Sequence, residues 1–133
     1  MKKVLEFLNK NSPFYLATLK GNDPMVRPMG LAFGYHGKIF FGCGSKKQVC
    51  RQMTDNPRVQ LATTGGDGTW LRYTGFATFD DDPDIYDAAA KAFPPVEKMY
   101  PRGSDTGIAF FHLKNGIALF CDVSGAVLET INL

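Results

Sequence analysis

The chain passes from a predicted strand into a predicted helix in residues 40–48, Phe40-Phe41-Gly42-Cys43-Gly44-Ser45-Lys46-Lys47-Gln48. Two phenylalanines are typical of a buried strand, and the small residues after them end it before a helical pattern begins. A helix start leaves backbone N–H groups unpaired and carries partial positive charge. Ser45, Lys46 and Lys47 add a hydroxyl and two ammonium groups there. We predict a site for a phosphate monoester at this junction.

Outward from this junction, the hydrophobic periodicity predicts short strands separated by turns and by a few helices. Helices are predicted over residues 2–10, 46–55 and 85–93. Strands are predicted over residues 14–19, 25–35, 38–43, 58–64, 69–80, 108–113, 117–122 and 126–131. His36-Gly37 is expected to form a tight hairpin turn, and Lys114-Asn115-Gly116 a second turn. The pattern therefore indicates about seven or eight strands.

This strand count, in a chain of 133 residues, predicts a mainly β (α+β) fold with one antiparallel barrel. Closure into a barrel protects edges that an open sheet would leave exposed. An OB-like barrel or an open α+β sheet would give a similar number of strands, so periodicity alone does not choose among them. We expect one domain over residues 1–133.

Charge and hydropathy exclude several classes of protein. The net charge is +2, from 15 basic and 13 acidic residues without long blocks, which argues against a nucleic-acid arm or a membrane tether. No apolar run approaches the roughly 18 residues of a membrane span, and residues 1–10 lack a signal-peptide core. We expect a cytoplasmic protein. An OB-like single-strand binder using Lys38, Lys46 and Lys47 is a competing hypothesis, weakened by the modest charge.

The cysteines and histidines give no catalytic or metal-binding pattern. Cys43, Cys50 and Cys121 make an odd number without CxxC spacing, so we expect reduced thiols and interpret Cys43 as a small buried residue. His36 and His112 are isolated, so no metal site is predicted. No paired-carboxylate, Ser-His-Asp or Cys-His arrangement is present, so no catalytic side chain is assigned.

Five segments follow one another along the chain in an order that is characteristic of one family. They are Tyr15-Leu16-Ala17-Thr18, Arg27-Pro28-Met29-Gly30-Leu31-Ala32, Phe40 to Lys47, Asn56-Pro57-Arg58-Val59, and Trp70 to Gly75. Together they resemble the pyridoxamine 5'-phosphate oxidase-like family of FMN-binding split β-barrels, over most of the chain. The resemblance implies a split β-barrel, FMN as cofactor, hydride transfer through flavin N5, and a homodimer with flavin sites between its subunits.

The resemblance also implies which residues contact the flavin. By the match, Arg27, Ser45, Lys46 and Lys47 hold the FMN phosphate. The ring and ribityl chain would lie along the backbone from Arg27 to Ala32, which includes Pro28, Met29 and Gly30, and along Phe40 and Phe41. Trp70 stands where the family often has a glutamine that reaches the flavin. A guanidinium, a hydroxyl and an ammonium group suit a phosphate dianion, because bonds to charged groups are the strong ones.

Each of these residues also has a structural interpretation. Ser45 with Gln48 fits a capping box, Arg27 fits an ordinary surface charge, and Trp70 fits a core or interface anchor. Lys46 and Lys47 begin a helix at the end where the dipole disfavours cations, so a bound anion explains them better than solvation.

The C-terminal segment departs from the family pattern. Pyridoxamine phosphate oxidases carry a basic segment with Arg and His there, whereas this chain has Gly125-Ala126-Val127-Leu128-Glu129-Thr130-Ile131-Asn132-Leu133. Vitamin B6 oxidation is therefore not expected. We predict an FMN-dependent oxidoreductase acting on a small organic acceptor. The alternative is a non-catalytic protein that binds flavin, deazaflavin or a related planar cofactor.

Overall fold

Eight strands and four helices make up the computed structural model, which describes residues 1–133. The helices are α1 (Lys2–Lys10), α2 (Gln48–Asp55), α3 (Asp84–Ala92) and α4 (Val96–Met99). The strands are β1 (Phe14–Lys20), β2 (Asp23–Met29), β3 (Ala32–Tyr35), β4 (Lys38–Gly44), β5 (Arg58–Thr64), β6 (Trp70–Asp80), β7 (Ile108–Cys121) and β8 (Val127–Asn132). None of the helices has the length and apolar character that crossing a bilayer requires.

The sheet closes because its two end strands, β2 and β3, are consecutive in the chain and joined by a short bend. The strand order is β2-β1-β5-β6-β7-β4-β3, every pair is antiparallel, and β8 adds to the second half of β7. Only Gly30 and Leu31 separate β2 from β3, so the two ends of the sheet are joined by continuous backbone. The long strand predicted over residues 25–35 is therefore two strands, β2 and β3, divided by a bend at Gly30 and Leu31. The predicted antiparallel split β-barrel is confirmed.

Alternation along the strands separates the barrel interior from its surface. In β1, for example, Phe14, Leu16 and Thr18 are buried, whereas Tyr15 is half-exposed. Twenty buried residues from the strands, α1 and α2 form the interior core. A second cluster lies outside the barrel, where α3 and α4 cover Phe33, Phe40 and Phe110. Burial of these apolar side chains is the main force that holds the barrel together.

The hairpin between β3 and β4 confirms the predicted turn at His36-Gly37. His36 has φ 46° and Gly37 has φ 74°, and Tyr35 pairs with Lys38 across the turn. Positive φ at both central residues is typical of a type I′ turn, whose twist matches that of the flanking strands.

The predicted turn at residues 114–116 is wrong, because β7 runs through it without reversing. Asn115 has φ 53°, and the register with β6 shifts between Thr74 and Phe76, which is a β-bulge. Asparagine tolerates this backbone conformation in a bulge as well as in a turn. The partner strand β6 pairs with both halves of β7, so the ladder continues beyond the irregularity.

Candidate functional site

The loop between β4 and α2, residues 45–47, carries the predicted phosphate-binding side chains at the surface. Its backbone has two hydrogen bonds: Ser45 N–H donates to the Gly107 carbonyl at 2.8 Å, and Lys47 N–H donates to the Gly44 carbonyl at 3.0 Å. All three side chains of the loop are exposed. The structure therefore presents Ser45, Lys46 and Lys47 together on one solvent-exposed loop.

Helix α2 begins without a side-chain cap. Its N-cap residue is Lys47, with φ −81° and ψ 156°, and no side chain accepts from the first turn. The predicted capping role of Ser45, including a capping box with Gln48, is wrong because α2 starts two residues later than residue 46. A lysine has no acceptor atom to offer. The N–H groups of this turn are therefore available to an external anion.

The two lysines of the loop differ in their surroundings. Lys46 Nζ lies 3.5 Å from Asp105 Oδ2, and both side chains are exposed, so solvent screens this pair strongly. Lys47 makes no ion pair, and its aliphatic stem covers Gly44, where an added Cβ would lie 3.1 Å from Lys47 Cγ. Lys47 is therefore the ammonium group at this helix start without a carboxylate partner.

Arg27 is half-buried and bonded within the chain. Its Nη1 donates to Thr18 Oγ1 at 2.7 Å, to the Leu16 carbonyl at 3.2 Å and to the Met25 carbonyl at 3.3 Å. Its Nη2 donates to Gln52 Oε1 at 2.7 Å. Burial lowers the pKa of Arg27 from its ordinary value. The interpretation of Arg27 as an ordinary surface charge is therefore wrong.

The guanidinium of Arg27 retains donors that these contacts do not use. Guanidinium has five N–H groups. The contacts above employ both Nη1 protons and one Nη2 proton, which leaves Nε–H and one Nη2–H. Gln52 is four residues after Gln48, one helical turn or about 6 Å along α2. Arg27 thus contacts the same helix whose first turn is uncapped.

Sequence reasoning missed Thr18 and Gln52, which complete the network around Arg27. Both are buried, and Thr18 Oγ1 donates to Gln52 Oε1 at 2.5 Å. Gln52 lies between Val49 and Met53 on the buried side of α2. A polar residue on an otherwise apolar helix face was the available signal, since a buried amide requires hydrogen-bond partners.

The predicted contacts to the flavin ring fall on two buried phenylalanines and on the bend that follows β2. Phe40 and Phe41 are 2% and 0% exposed, so their rings belong to the core. Pro28 is exposed and Met29 packs against the core. An added Cβ at Gly30 would meet only Ser12 Oγ, at 3.8 Å, so the bend beside β2 is open to close approach. Any ligand contact of the two phenylalanines is limited to their main chain.

Trp70 is far along the barrel from the β4–α2 loop of its own chain. Its indole Nε1 donates to the Asp122 carbonyl at 2.8 Å, and Arg72 lies over its ring at 4.9 Å. Trp70 pairs with Cys121, whereas Asp80, at the other end of β6, pairs with Phe110 near the loop. Ten residues of strand span about 33 Å. A single chain therefore does not bring Trp70 to Ser45 and Lys47.

The cysteine prediction is partly wrong. Cys43 and Cys50 are joined by a disulfide, and only Cys121 is free, in the core. The two bonded cysteines flank the loop, one at the end of β4 and one in the first turn of α2. Their spacing of seven residues matches no disulfide motif, so sequence reasoning had no signal for a pairing that the reversal of the chain creates.

Comparison with known proteins identifies a family-level similarity. Residues 1–109 match the family model described as pyridoxamine 5'-phosphate oxidase. A crystal structure of a NimC/NimA family protein from Clostridium acetobutylicum is 35% identical, with a TM-score of 0.92 over 100% of this chain and 92% of that one. No curated protein matches the sequence.

More distant structures share the fold. A putative pyridoxamine 5'-phosphate oxidase from Listeria innocua is 17% identical, with a TM-score of 0.64 over 99% of this chain and 96% of that one. A heme binding protein from Mycobacterium smegmatis is 16% identical, with a TM-score of 0.69 over 92% of this chain and 54% of that one. At these identities the likeness concerns the fold alone.

Proposed function

Because the chain belongs to the pyridoxamine 5'-phosphate oxidase family, we propose that it binds FMN and acts as an FMN-dependent oxidoreductase. The observation that carries this proposal is the β4–α2 loop, where an uncapped helix start coincides with an unpaired lysine. A helix start attracts anions through its free N–H groups and its dipole. The ammonium group of Lys47 interacts unfavourably with the partial positive charge at this helix start, and a bound anion would offset that repulsion.

The donor set fits a phosphate dianion. Lys46, Lys47 and the Ser45 hydroxyl would hold it from the loop, together with N–H groups of the first turn of α2. Arg27 would add its two remaining N–H groups from the β2 side, while Thr18 and Gln52 fix its plane. Charged donors in a fixed arrangement bind phosphate more strongly than neutral donors do. The backbone of residues 28–30, the main chain of Phe40 and Phe41, and an aromatic wall from Trp70 complete the proposed site.

Bound FMN would supply hydride transfer at N5 between an electron donor and a small organic acceptor. The chain's own residues would bind and orient the cofactor and leave one face of it open to substrate. This division of labour requires no acid or base side chain from the protein. It therefore agrees with a site whose functional groups are donors to an anion.

We propose that the protein works as a homodimer, with Trp70 serving the partner's site. Five residues form an outer strip on β2, β1 and β5: Tyr15, Ala17, Val26, Pro28 and Ala62. Cross-strand partners share a face, so these residues form one contiguous surface. Tyr15 is 50% exposed and Val26 is 69% exposed, although both side chains are large and mostly apolar. Such a strip is typical of a protein interface.

The test is the absorbance spectrum of freshly purified protein, followed by FMN titration. We expect a flavin spectrum that bleaches with dithionite or a nicotinamide donor and recovers with an acceptor. Lys47→Ala should weaken FMN binding about tenfold or more, because it removes a charge-assisted contact. The matched control is Lys91→Ala, an exposed lysine on α3. Wild-type protein that takes up no FMN, or equal uptake by Lys47→Ala, contradicts the proposal.

The second candidate is a protein that binds a planar cofactor without turnover. It is favoured by the fold shared with the heme binding protein, whose ligand is a planar cofactor. Parallel titrations with FMN and haem distinguish the cofactors. Colour that bleaches with dithionite but gives no turnover with any donor and acceptor pair supports this candidate over the oxidoreductase.

A further inference from the structure

The disulfide between Cys43 and Cys50 encloses the loop that carries Ser45, Lys46 and Lys47. We propose that this cysteine pair is a redox latch, which sets how tightly the loop holds an anionic ligand. The latch rests on the proposed function, because the ligand is the FMN phosphate. In this proposal the oxidised pair favours binding and the reduced pair weakens it.

The loop depends on the cross-link because little else holds it. Its backbone has two hydrogen bonds, from Ser45 N–H and Lys47 N–H, and its side chains are exposed. The Lys46–Asp105 pair is exposed as well and contributes little. A covalent link between the strand end and the first helical turn restricts the backbone between them. A ligand that binds the restricted loop loses less conformational entropy on binding.

The fold also accommodates the two free thiols. Cys50 Sγ lies 3.3 Å from the Gly44 carbonyl oxygen. A disulfide sulfur has no proton to donate, so this contact becomes a hydrogen bond only in the dithiol form. Cys43 and Cys50 are 6% and 7% exposed, and reduced cysteines are well suited to such positions. Both redox states therefore leave β4 and α2 in place and differ in the restraint on the loop.

The conversion is a two-electron thiol–disulfide exchange. A small-molecule disulfide such as oxidised glutathione accepts two electrons and two protons from the Cys43 and Cys50 thiols. Its S–S bond breaks, one S–S bond forms in the protein, and two glutathione thiols leave. A reducing dithiol reverses the reaction. Because both sulfurs are buried, exchange requires a transient opening of the loop.

The experiment compares wild-type protein equilibrated with oxidised glutathione and with dithiothreitol, each then freed of reagent. Thiols counted after denaturation should number one in the oxidised protein and three in the reduced protein, since Cys121 stays free in both states. We expect the oxidised protein to bind FMN about five- to tenfold more tightly. Cys43→Ser and Cys50→Ala should each bind like the reduced protein in both media. Cys121→Ser should keep the full redox response.

Hydrogen exchange of residues 44–49 without ligand separates this inference from the proposed function. We expect slower exchange in the oxidised state, whether or not FMN binds. Three thiols after glutathione treatment overturn the latch, and so does equal exchange in both states. If FMN binds neither state while the exchange rates differ, the proposed cofactor is wrong and the redox-controlled loop stands. Equal FMN affinity of two states with different thiol counts also overturns the latch.

Discussion

Arg27 combines a structural role with a proposed ligand role in one side chain. Its guanidinium bonds to Thr18 and Gln52, both buried, and so connects β1 to α2. Removing a partner from a buried polar network leaves the other members unsatisfied, which costs more than the hydrogen bond itself. The network therefore explains why an arginine is needed here even without a ligand, while its two remaining N–H groups leave the ligand role available.

We predict that Arg27→Ala lowers both stability and FMN affinity. The free energy of unfolding should fall by about 1–3 kcal/mol, because Gln52 and Thr18 lose a charged donor. Urea denaturation and FMN titration measure the two effects separately. Arg51→Ala is the control, since Arg51 is exposed on the same helix and pairs only with Asp55. A stability equal to that of wild type would contradict the structural role.

At the scale of elements, α2 has the backbone geometry of a capped helix but not the residue. Lys47 has φ −81° and ψ 156°, the extended conformation that N-cap residues adopt. Serine, threonine, aspartate or asparagine would satisfy an N–H of the first turn at this position. A lysine in their place makes the helix less stable, because it leaves the N–H groups of the first turn without a side-chain acceptor. A bound anion would supply the missing acceptor.

Lys47→Asp should therefore stabilise the fold and abolish FMN binding. An aspartate cap adds about 1 kcal/mol through its hydrogen bond and its favourable interaction with the dipole. The same carboxylate repels a phosphate. Thermal unfolding and FMN titration give the two results. Lys46→Asp is the matched control, because residue 46 is not the N-cap: FMN binding should weaken without a gain in stability. Loss of stability in Lys47→Asp would refute the capping argument.

Strands β6 and β7 are closely packed at Gly75, beside the bulge. A Cβ at Gly75 would lie 2.8 Å from Leu113 Cβ and 3.1 Å from the Lys114 carbonyl oxygen. We predict that Gly75→Ala lowers the free energy of unfolding by about 1–3 kcal/mol, because backbone must move. Gly66→Ala is the control, since nothing lies within 4 Å of its Cβ position. Equal urea midpoints for the two variants would disprove the close packing.

Local patterns predicted the elements well, and contacts between distant residues were the part they missed. The stretch 58–64 has the predicted bounds, because its alternation matches a half-buried strand. The turn predicted at residues 114–116 is wrong, because the pairing of β7 with β6 outweighs the local turn signals there. The partners of Arg27 and the Cys43–Cys50 bond depend on how β4, α2 and β1 meet, which no local pattern contains.

At the scale of the whole molecule, the barrel has one face covered and one face bare. Helices α3 and α4 cover Phe33, Phe40 and Phe110 outside the barrel, and these residues are buried. The outer strip on β2, β1 and β5 is open to solvent at Tyr15 and Val26. We propose that a second copy of the chain buries this strip, in an arrangement that takes the partner's Trp70 to the loop of the first copy.

Val26→Glu should separate the proposed dimer into monomers, because burying a charge without a partner at an interface is unfavourable. Size-exclusion chromatography with light scattering should show half the mass of wild type. FMN affinity should fall as well, since the proposed site takes Trp70 from the partner. Met99→Glu is the control, because Met99 is 62% exposed on α4, away from the strip. A monomeric wild type that binds FMN would place the cofactor within one chain. A Val26→Glu variant that stays dimeric with normal FMN affinity would exclude the strip as the interface.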